Sequence, residues 1–147
     1  MGLAPTFHPV NLVPGEAFVV TLNTNEGAAY FRRSDHLRVV RDVLERLCRC
    51  GPYQLVGLQS EDDRLCVAFV ARNGNGQLHD LVYRLKHESG ILFMQEFGMR
   101  LWQGGFHDRS LGVPEDAATI DRELSRSLAG VLVRNEVDDT LLARPPG

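Results

Sequence analysis

The hydrophobic pattern in the first third of the chain predicts a strand followed by a helix. Residues 17–22 read AFVVTL, a run of apolar and β-branched residues typical of a strand. Beyond a polar turn, four apolar positions recur at intervals of three and four residues, which indicates one stripe along a helix; they are Leu37, Val40, Leu44 and Leu47. Ser34 suits the start of this helix, and Gly51-Pro52 is typical of its end.

The remaining pattern predicts three more strands and two more helices. Residues 53–58 and 64–71 are apolar runs joined by the acidic turn at residues 60–63, which favours an antiparallel hairpin. The apolar positions of the second helix are Leu78, Leu81, Val82 and Leu85, with a break or bend expected at Gly90. A short strand over residues 106–111 follows, and then a last helix starting near Pro114 with an apolar stripe at Ile120, Leu124 and Leu128.

The order β-α-β-β-α-β-α predicts an α+β domain of the ferredoxin-like type, with an antiparallel sheet and helices packed on one of its faces. We expect this domain to span residues 16–134. Three prolines among residues 1–15 predict an irregular N-terminal arm, and residues 135–147 are expected to form a loose tail.

The composition changes this picture little. Hydrophobic residues make up 44% and charged residues 24% of 147, which is typical of a globular domain. No apolar run is long enough for a membrane span, and no secretory signal opens the chain, so a cytoplasmic protein is expected. The net charge of −3 does not favour nucleic acid, although 15 of the 16 basic residues are Arg, which suits phosphate contacts or reflects coding bias. Three cysteines predict no disulfide framework.

One segment resembles a known family. Residues 101–111 read LWQGGFHDRSL and are followed by Pro114-Glu115-Asp116, which is similar to a signature of the REP-associated tyrosine transposases, members of the single-tyrosine HUH transposases. The front of the chain is similar more loosely, at residues 19–24 and at Phe31-Arg32-Arg33. The resemblance spans about residues 16–133 and implies a ferredoxin-like fold, in agreement with the pattern above.

The catalytic residues of that family are not matched. The resemblance implies a tyrosine nucleophile that cuts single-stranded DNA and two histidines, two residues apart on a strand, that hold a divalent cation such as Mg²⁺. Those two histidine positions fall on Arg64 and Cys66 here. The nucleophile is expected between His87 and Ser89, yet no tyrosine follows Tyr83. We therefore expect a degenerate site without a metal or other cofactor and without the family's cleavage chemistry.

Five residues are candidate DNA contacts: Arg32, Arg33, Arg64, Trp102 and Arg109. Arg64 suits a DNA phosphate, or alternatively an ion pair with Asp62 or Asp63. Trp102 suits stacking on an unpaired base, or alternatively the core beneath the sheet. His107 and Asp108 resemble a base with its orienting carboxylate, but adjacent strand residues point to opposite faces, which favours a structural role.

Three hypotheses for the function follow. The first is a non-cleaving, transposase-like protein that binds hairpin or other single-stranded DNA. The second is a protein-interaction or dimerisation module derived from a transposase, favoured by the net negative charge and the acidic turn at residues 61–63. The third is an active transposase with an unusual nucleophile, Ser89 or Cys66. A homodimer is compatible with each of them.

Overall fold

The computed structural model of the protein describes residues 6–7, 12–72 and 77–129. The helices are α1 (Ser34–Arg49), α2 (Leu78–Phe97) and α3 (Ala117–Leu128). The strands are β1 (Thr6–Phe7), β2 (Ala17–Asn23), β3 (Tyr53–Glu61), β4 (Arg64–Ala71) and β5 (His107–Gly112). Each predicted strand and helix is therefore present, although α3 starts three residues after Pro114, where the Asp116 side chain accepts a hydrogen bond from the Thr119 N–H.

The strands form one antiparallel sheet in the order β1-β3-β4-β2-β5. Without β1, the order β3-β4-β2-β5 and the succession βαββαβ are those of a ferredoxin-like domain, which confirms the predicted α+β class. Strand β1 was not predicted. It lies in the segment expected to be an irregular arm and pairs with the edge of β3, Thr6 opposite Leu58.

The helices cover both faces of the sheet. One buried cluster joins α1 and α2 to one face and includes Leu44, Leu65, Leu85 and Phe93. A second cluster joins α3 to the opposite face and includes Cys66, Ala68, Ile120 and Leu124. The predicted packing on one face therefore holds for α1 and α2 and is wrong for α3.

The alternation along β4 explains this arrangement. Leu65 and Val67 point toward α1 and α2, whereas Cys66 and Ala68 point toward α3. Because both faces are buried, the strand reads as a continuous apolar run rather than as an apolar–polar alternation.

Helix α2 is continuous through Gly90, so the expected break there is wrong. The helix ends instead at Gly98, whose left-handed backbone (φ 72°) lets its N–H donate to the Met94 carbonyl oxygen. Gly90 is tolerated within the helix and lies beside Trp102. No helix among residues 12–72 and 77–129 is long and apolar enough to cross a membrane. The tail predicted for residues 135–147 lies outside the described residues.

Candidate functional site

Arg64 and Cys66 lie on the same face of β4, the face that α3 covers. Cys66 is fully buried between Thr21 of β2 and Gln59 of β3, and its Sγ lies 3.4 Å from the Thr21 Oγ1. Arg64 is the first residue of β4 after the hairpin turn. Its side chain is 28% exposed, and its guanidinium lies 3.5 Å from the Asp63 carboxylate. Two residues apart on one strand, Arg64 and Cys66 thus share a face, as their spacing predicts. The ion pair with Asp63, predicted as the alternative to a phosphate contact for Arg64, is present.

Helix α3 closes this face with polar contacts. The Gln59 amide donates to Asp121 Oδ1 at 3.1 Å, and the Ser125 hydroxyl donates to Gln59 Oε1 at 3.1 Å. These contacts join α3 to β3 next to Cys66, so a ligand approaching the Cys66 thiol would first have to displace α3. Within residues 12–72 and 77–129, no three His, Cys, Asp or Glu side chains cluster as a metal site would require.

Ser89 lies on the other side of the sheet. It belongs to α2 and is fully buried, where its hydroxyl donates to the Leu85 carbonyl oxygen at 2.5 Å. The Ser89 hydroxyl oxygen in turn accepts a hydrogen bond from the Trp102 Nε1 at 2.9 Å. The sheet separates Ser89 from Arg64 and Cys66, so the three residues of the predicted former site do not form one cluster.

Of the four arginines predicted to contact DNA, Arg32 and Arg33 are exposed and Arg64 and Arg109 are half-buried, and each of the four has a carboxylate partner. Arg32 lies 3.0 Å from Asp62, and Arg33 lies 2.6 Å from Asp35. The hydrogen bond from Arg33 lowers the pKa of Asp35 and keeps this carboxylate ionised. A DNA phosphate would therefore compete with an existing ion pair at both positions.

Arg109 connects β5 to α3. Its guanidinium lies 3.1 Å from Glu123 Oε1 and donates to the Ser127 Oγ at 3.0 Å, on the face that α3 covers. Asp108, the preceding residue, lies 3.5 Å from His79 of α2 on the opposite face, and His107 pairs opposite Thr21. The arrangement gives His107 and Asp108 different surroundings, as the alternation on a strand predicts.

Trp102 is part of the core. Only 6% of the residue is exposed, its ring centroid lies 5.8 Å from that of Phe31, and its backbone forms a β-bridge with Thr24. Stacking on a base requires an open ring face, so the predicted DNA contact at Trp102 does not fit this conformation. The alternative interpretation, a tryptophan that closes the core, fits it.

A groove lies between the outer side of α2 and the segment from Arg100 to Phe106. Its volume is about 910 Å³, within the range of about 300–1,000 Å³ typical of ligand sites. Helix α2 contributes one wall, made of Tyr83, Lys86, His87, Gly90, Ile91, Met94 and Gln95. Three of these, Tyr83, Ile91 and Met94, are apolar and exposed. Of the residues predicted to contact DNA, only Trp102 lines this groove, and His87, where the segment expected to hold the nucleophile begins, lines it as well.

Lys86 fixes the opposite wall of the groove. Its ammonium donates to the carbonyl oxygens of Gln103 and Gly105 at 2.8 and 2.6 Å. Burial, together with the nearby positive charge of Arg100, lowers the pKa of Lys86 to about 8. None of the residues that line the groove is acidic. Two adjacent cations without a carboxylate form an environment suited to an anion.

Two solved structures share this fold. A REP-associated tyrosine transposase bound to a REP hairpin superposes with a TM-score of 0.58 and 12% sequence identity, over 84% of this chain and 70% of that chain. A candidate transposase of Deinococcus radiodurans R1 superposes with a TM-score of 0.56 and 16% identity, over 84% of this chain and 97% of that chain. The chain has the fold of these two proteins.

This shared fold confirms the ferredoxin-like architecture that the resemblance of the segment around Trp102 and Gln103 implied. No family model and no curated protein matches the sequence. At 12% and 16% identity the likeness concerns the fold. This fold places Arg64 and Cys66 on one face of the sheet, and the groove lined by Lys86 and Arg100 lies on the other side.

Proposed function

We propose that this protein binds hairpin or other single-stranded DNA and does not cut it. The observation that carries the proposal is the transposase fold, shared with a protein bound to a DNA hairpin, combined with Arg64 and Cys66 at the two positions where the family resemblance expects metal-binding histidines. The fold supports the binding, and the two substitutions support the loss of cutting.

The chemistry of Arg64 and Cys66 supports a protein without the family's metal. A guanidinium has no acceptor for a cation and repels it. A thiol favours soft metals over the Mg²⁺ that suits phosphate chemistry, and Cys66 is in addition enclosed by α3. The chain also has no tyrosine after Tyr83, and Ser89 and Cys66, the two substitute nucleophiles considered above, are both fully buried and hydrogen-bonded.

Fluorescence anisotropy with labelled hairpin, unpaired and blunt duplex oligonucleotides tests the binding. We expect tighter binding to the hairpin and unpaired strands than to the duplex, with affinity that falls as salt rises, because phosphate contacts release counterions. Micromolar or weaker affinity without salt dependence would exclude DNA as the ligand.

A nicking assay with Mg²⁺ or Mn²⁺ tests the absence of cutting. We expect no cleaved strand and no covalent protein–DNA adduct. Metal-dependent nicking that disappears in Cys66→Ala or Ser89→Ala would contradict the proposal and restore an active transposase with an unusual nucleophile.

A specific observation favours the second candidate, an interaction or dimerisation module. The arginines predicted to contact phosphates, Arg32, Arg33, Arg64 and Arg109, all lie within 4 Å of carboxylates, which weakens their attraction for DNA. Sedimentation of the protein alone and with DNA separates the two candidates: a concentration-dependent dimer with no DNA-bound species would favour the module. A homodimer stays a prediction.

A further inference from the structure

We propose that the groove between α2 and residues 100–106 binds one unpaired nucleotide, with its base against the apolar wall of α2 and its phosphate beside Lys86 and Arg100. This inference rests on the proposed function and adds the place and the form of the DNA that is bound. The groove lies on the side of the sheet opposite Arg64 and Cys66, so it is separate from the two positions where the family resemblance expects metal-binding histidines.

The charged side chains that line this groove are basic. The chain has 19 acidic residues and a net charge of −3, and five of its other exposed arginines pair with carboxylates: Arg32, Arg33, Arg46, Arg84 and Arg126. The groove, in contrast, is lined by Lys86, Arg100 and His87 and by no acidic residue. Among the described residues no carboxylate pairs with Arg100, which is exposed. An anion is therefore the complementary ligand.

The position of Lys86 suits a phosphate in particular. Two of the three ammonium protons are already donated to the carbonyl oxygens of Gln103 and Gly105, which holds the nitrogen in one place with one donor remaining. Arg100 adds a guanidinium, which binds phosphate oxygens through two parallel N–H groups. A pre-positioned ammonium beside a free guanidinium is able to contact one phosphate from two sides.

The apolar wall suits the flat face of a base. Tyr83 is 77% exposed, and Ile91 and Met94 are 45% and 49% exposed along the same side of α2. Aromatic and apolar side chains gain about 1–3 kcal/mol per stacked base in single-strand binders. The exposed amides of Gln95 and Gln103 lie in the same groove and are able to bond the edge of a base.

The opposite wall, at Gly104 and Gly105, leaves room for a nucleotide to approach the backbone closely. A side chain added at Gly104 or Gly105 would meet nothing within 4 Å, and Gly105 has a φ of 79°, which favours glycine. The backbone here is open, and a sugar or phosphate is able to approach it closely. A base inside a duplex is stacked on its neighbours and cannot present its face to α2, so the groove selects unpaired nucleotides.

Two neighbouring residues of α2 provide a matched test of the apolar wall. Ile91 and Leu92 are 45% and 43% exposed, but only Ile91 lines the groove. The substitutions Ile91→Glu and Leu92→Glu add the same charge to the same helix. We expect Ile91→Glu to weaken binding of unpaired oligonucleotides by at least about fivefold and Leu92→Glu to change it by less than about twofold.

A second pair tests the phosphate contact. Arg100 lines the groove, whereas Arg84 lies on α2 outside the groove lining and pairs with Glu88. We expect Arg100→Gln to weaken binding and to lower the slope of affinity against salt by about 0.7, the value for one phosphate of a single strand. Arg84→Gln is expected to leave both quantities near those of the unmodified protein. Circular dichroism melting of all four variants verifies that each is folded.

Trp102 reports occupancy directly, since it is the only tryptophan and lines the groove. We expect its fluorescence to change with unpaired oligonucleotides and not with a blunt duplex.

If the unmodified protein binds DNA but Ile91→Glu behaves like Leu92→Glu, the groove is not the site and the proposed function stands. If anisotropy detects no DNA binding at all, the proposed function is wrong. A Trp102 response to an acidic, apolar peptide but not to oligonucleotides would also overturn the nucleotide assignment.

Discussion

The indole Nε1 of Trp102 donates a 2.9 Å hydrogen bond to the hydroxyl oxygen of Ser89, in the buried layer between the sheet and α2. Ser89 in turn donates to the Leu85 carbonyl oxygen. The residue at the position where a nucleophile was expected is therefore a structural partner of the tryptophan in the family-like segment. This pair connects α2 to the segment that forms the far wall of the groove.

Substitution of Ser89 by alanine removes the acceptor for a buried indole N–H. We expect Ser89→Ala to lower the free energy of unfolding by about 1–3 kcal/mol, because the Trp102 Nε1 is left without a partner. Urea denaturation followed by circular dichroism measures the change, since this signal is also present in a variant without Trp102. Ser89→Cys and Trp102→Phe serve as comparisons, and an unchanged midpoint in Ser89→Ala would contradict the structural role.

The charge of Lys86 predicts a pH dependence of DNA binding. The pKa of Lys86 is lowered to about 8 by burial and by Arg100, so the amine is mostly charged at pH 7 and mostly neutral at pH 9.5. We expect affinity for unpaired oligonucleotides to fall about five- to tenfold over this range, the equivalent of about 1 kcal/mol. Lys86→Arg keeps its charge throughout and is expected to show a flatter profile. Identical profiles for the two proteins would contradict the phosphate contact.

The three thiols differ in reactivity. Cys50 is exposed, whereas Cys66 is buried beside Thr21 and burial raises the pKa of Cys48 to about 12. Because the thiolate is the reactive form, an aromatic disulfide reagent at pH 8 is expected to titrate one thiol rapidly and the other two only in denaturant. The variant Cys50→Ser should lose the rapid phase. Rapid modification of Cys66 would show that α3 does not cover this face.

The contact between Arg109 and Glu123 predicts how strongly α3 is attached to the sheet. Arg109→Ala removes a half-buried ion pair and the hydrogen bond to Ser127, so we expect the free energy of unfolding to fall by about 1.5–3 kcal/mol. Arg126 contacts the same Glu123 from an exposed position, and Arg126→Ala is expected to cost about 0–1 kcal/mol. Equal losses in the two variants would mean that Arg109 does not connect β5 to α3.

The order of the strands and helices was predictable because most elements bury one clear stripe. In α1, Leu37, Val40 and Leu44 lie at helical spacing and are all buried. The face on which α3 packs was not predictable, since both faces of β4 are apolar and the stripe at Ile120, Leu124 and Leu128 fits either. Strand β1 has only two residues, too few for a periodic signal.

The candidate site was harder to predict than the fold. The shared face of Arg64 and Cys66 followed from the two-residue period of a strand, whereas the carboxylate partners of Arg32, Arg33 and Arg109 depend on tertiary contacts. The groove brings Tyr83 together with Phe106, far apart in sequence. One signal was available: Tyr83, His87, Ile91 and Met94 recur along α2 outside its core stripe.

Lys86 is the only lysine in the chain. Because its pKa is about 8, more of it is present as free amine at mildly alkaline pH than is the case for an ordinary lysine. An amine-directed dye or spin label is therefore expected to attach at this one side chain, apart from the α-amino group. Acetylation at the same nitrogen would remove its positive charge and weaken its attachment to the Gln103 and Gly105 carbonyl oxygens, so a single chemical modification would release one wall of the groove.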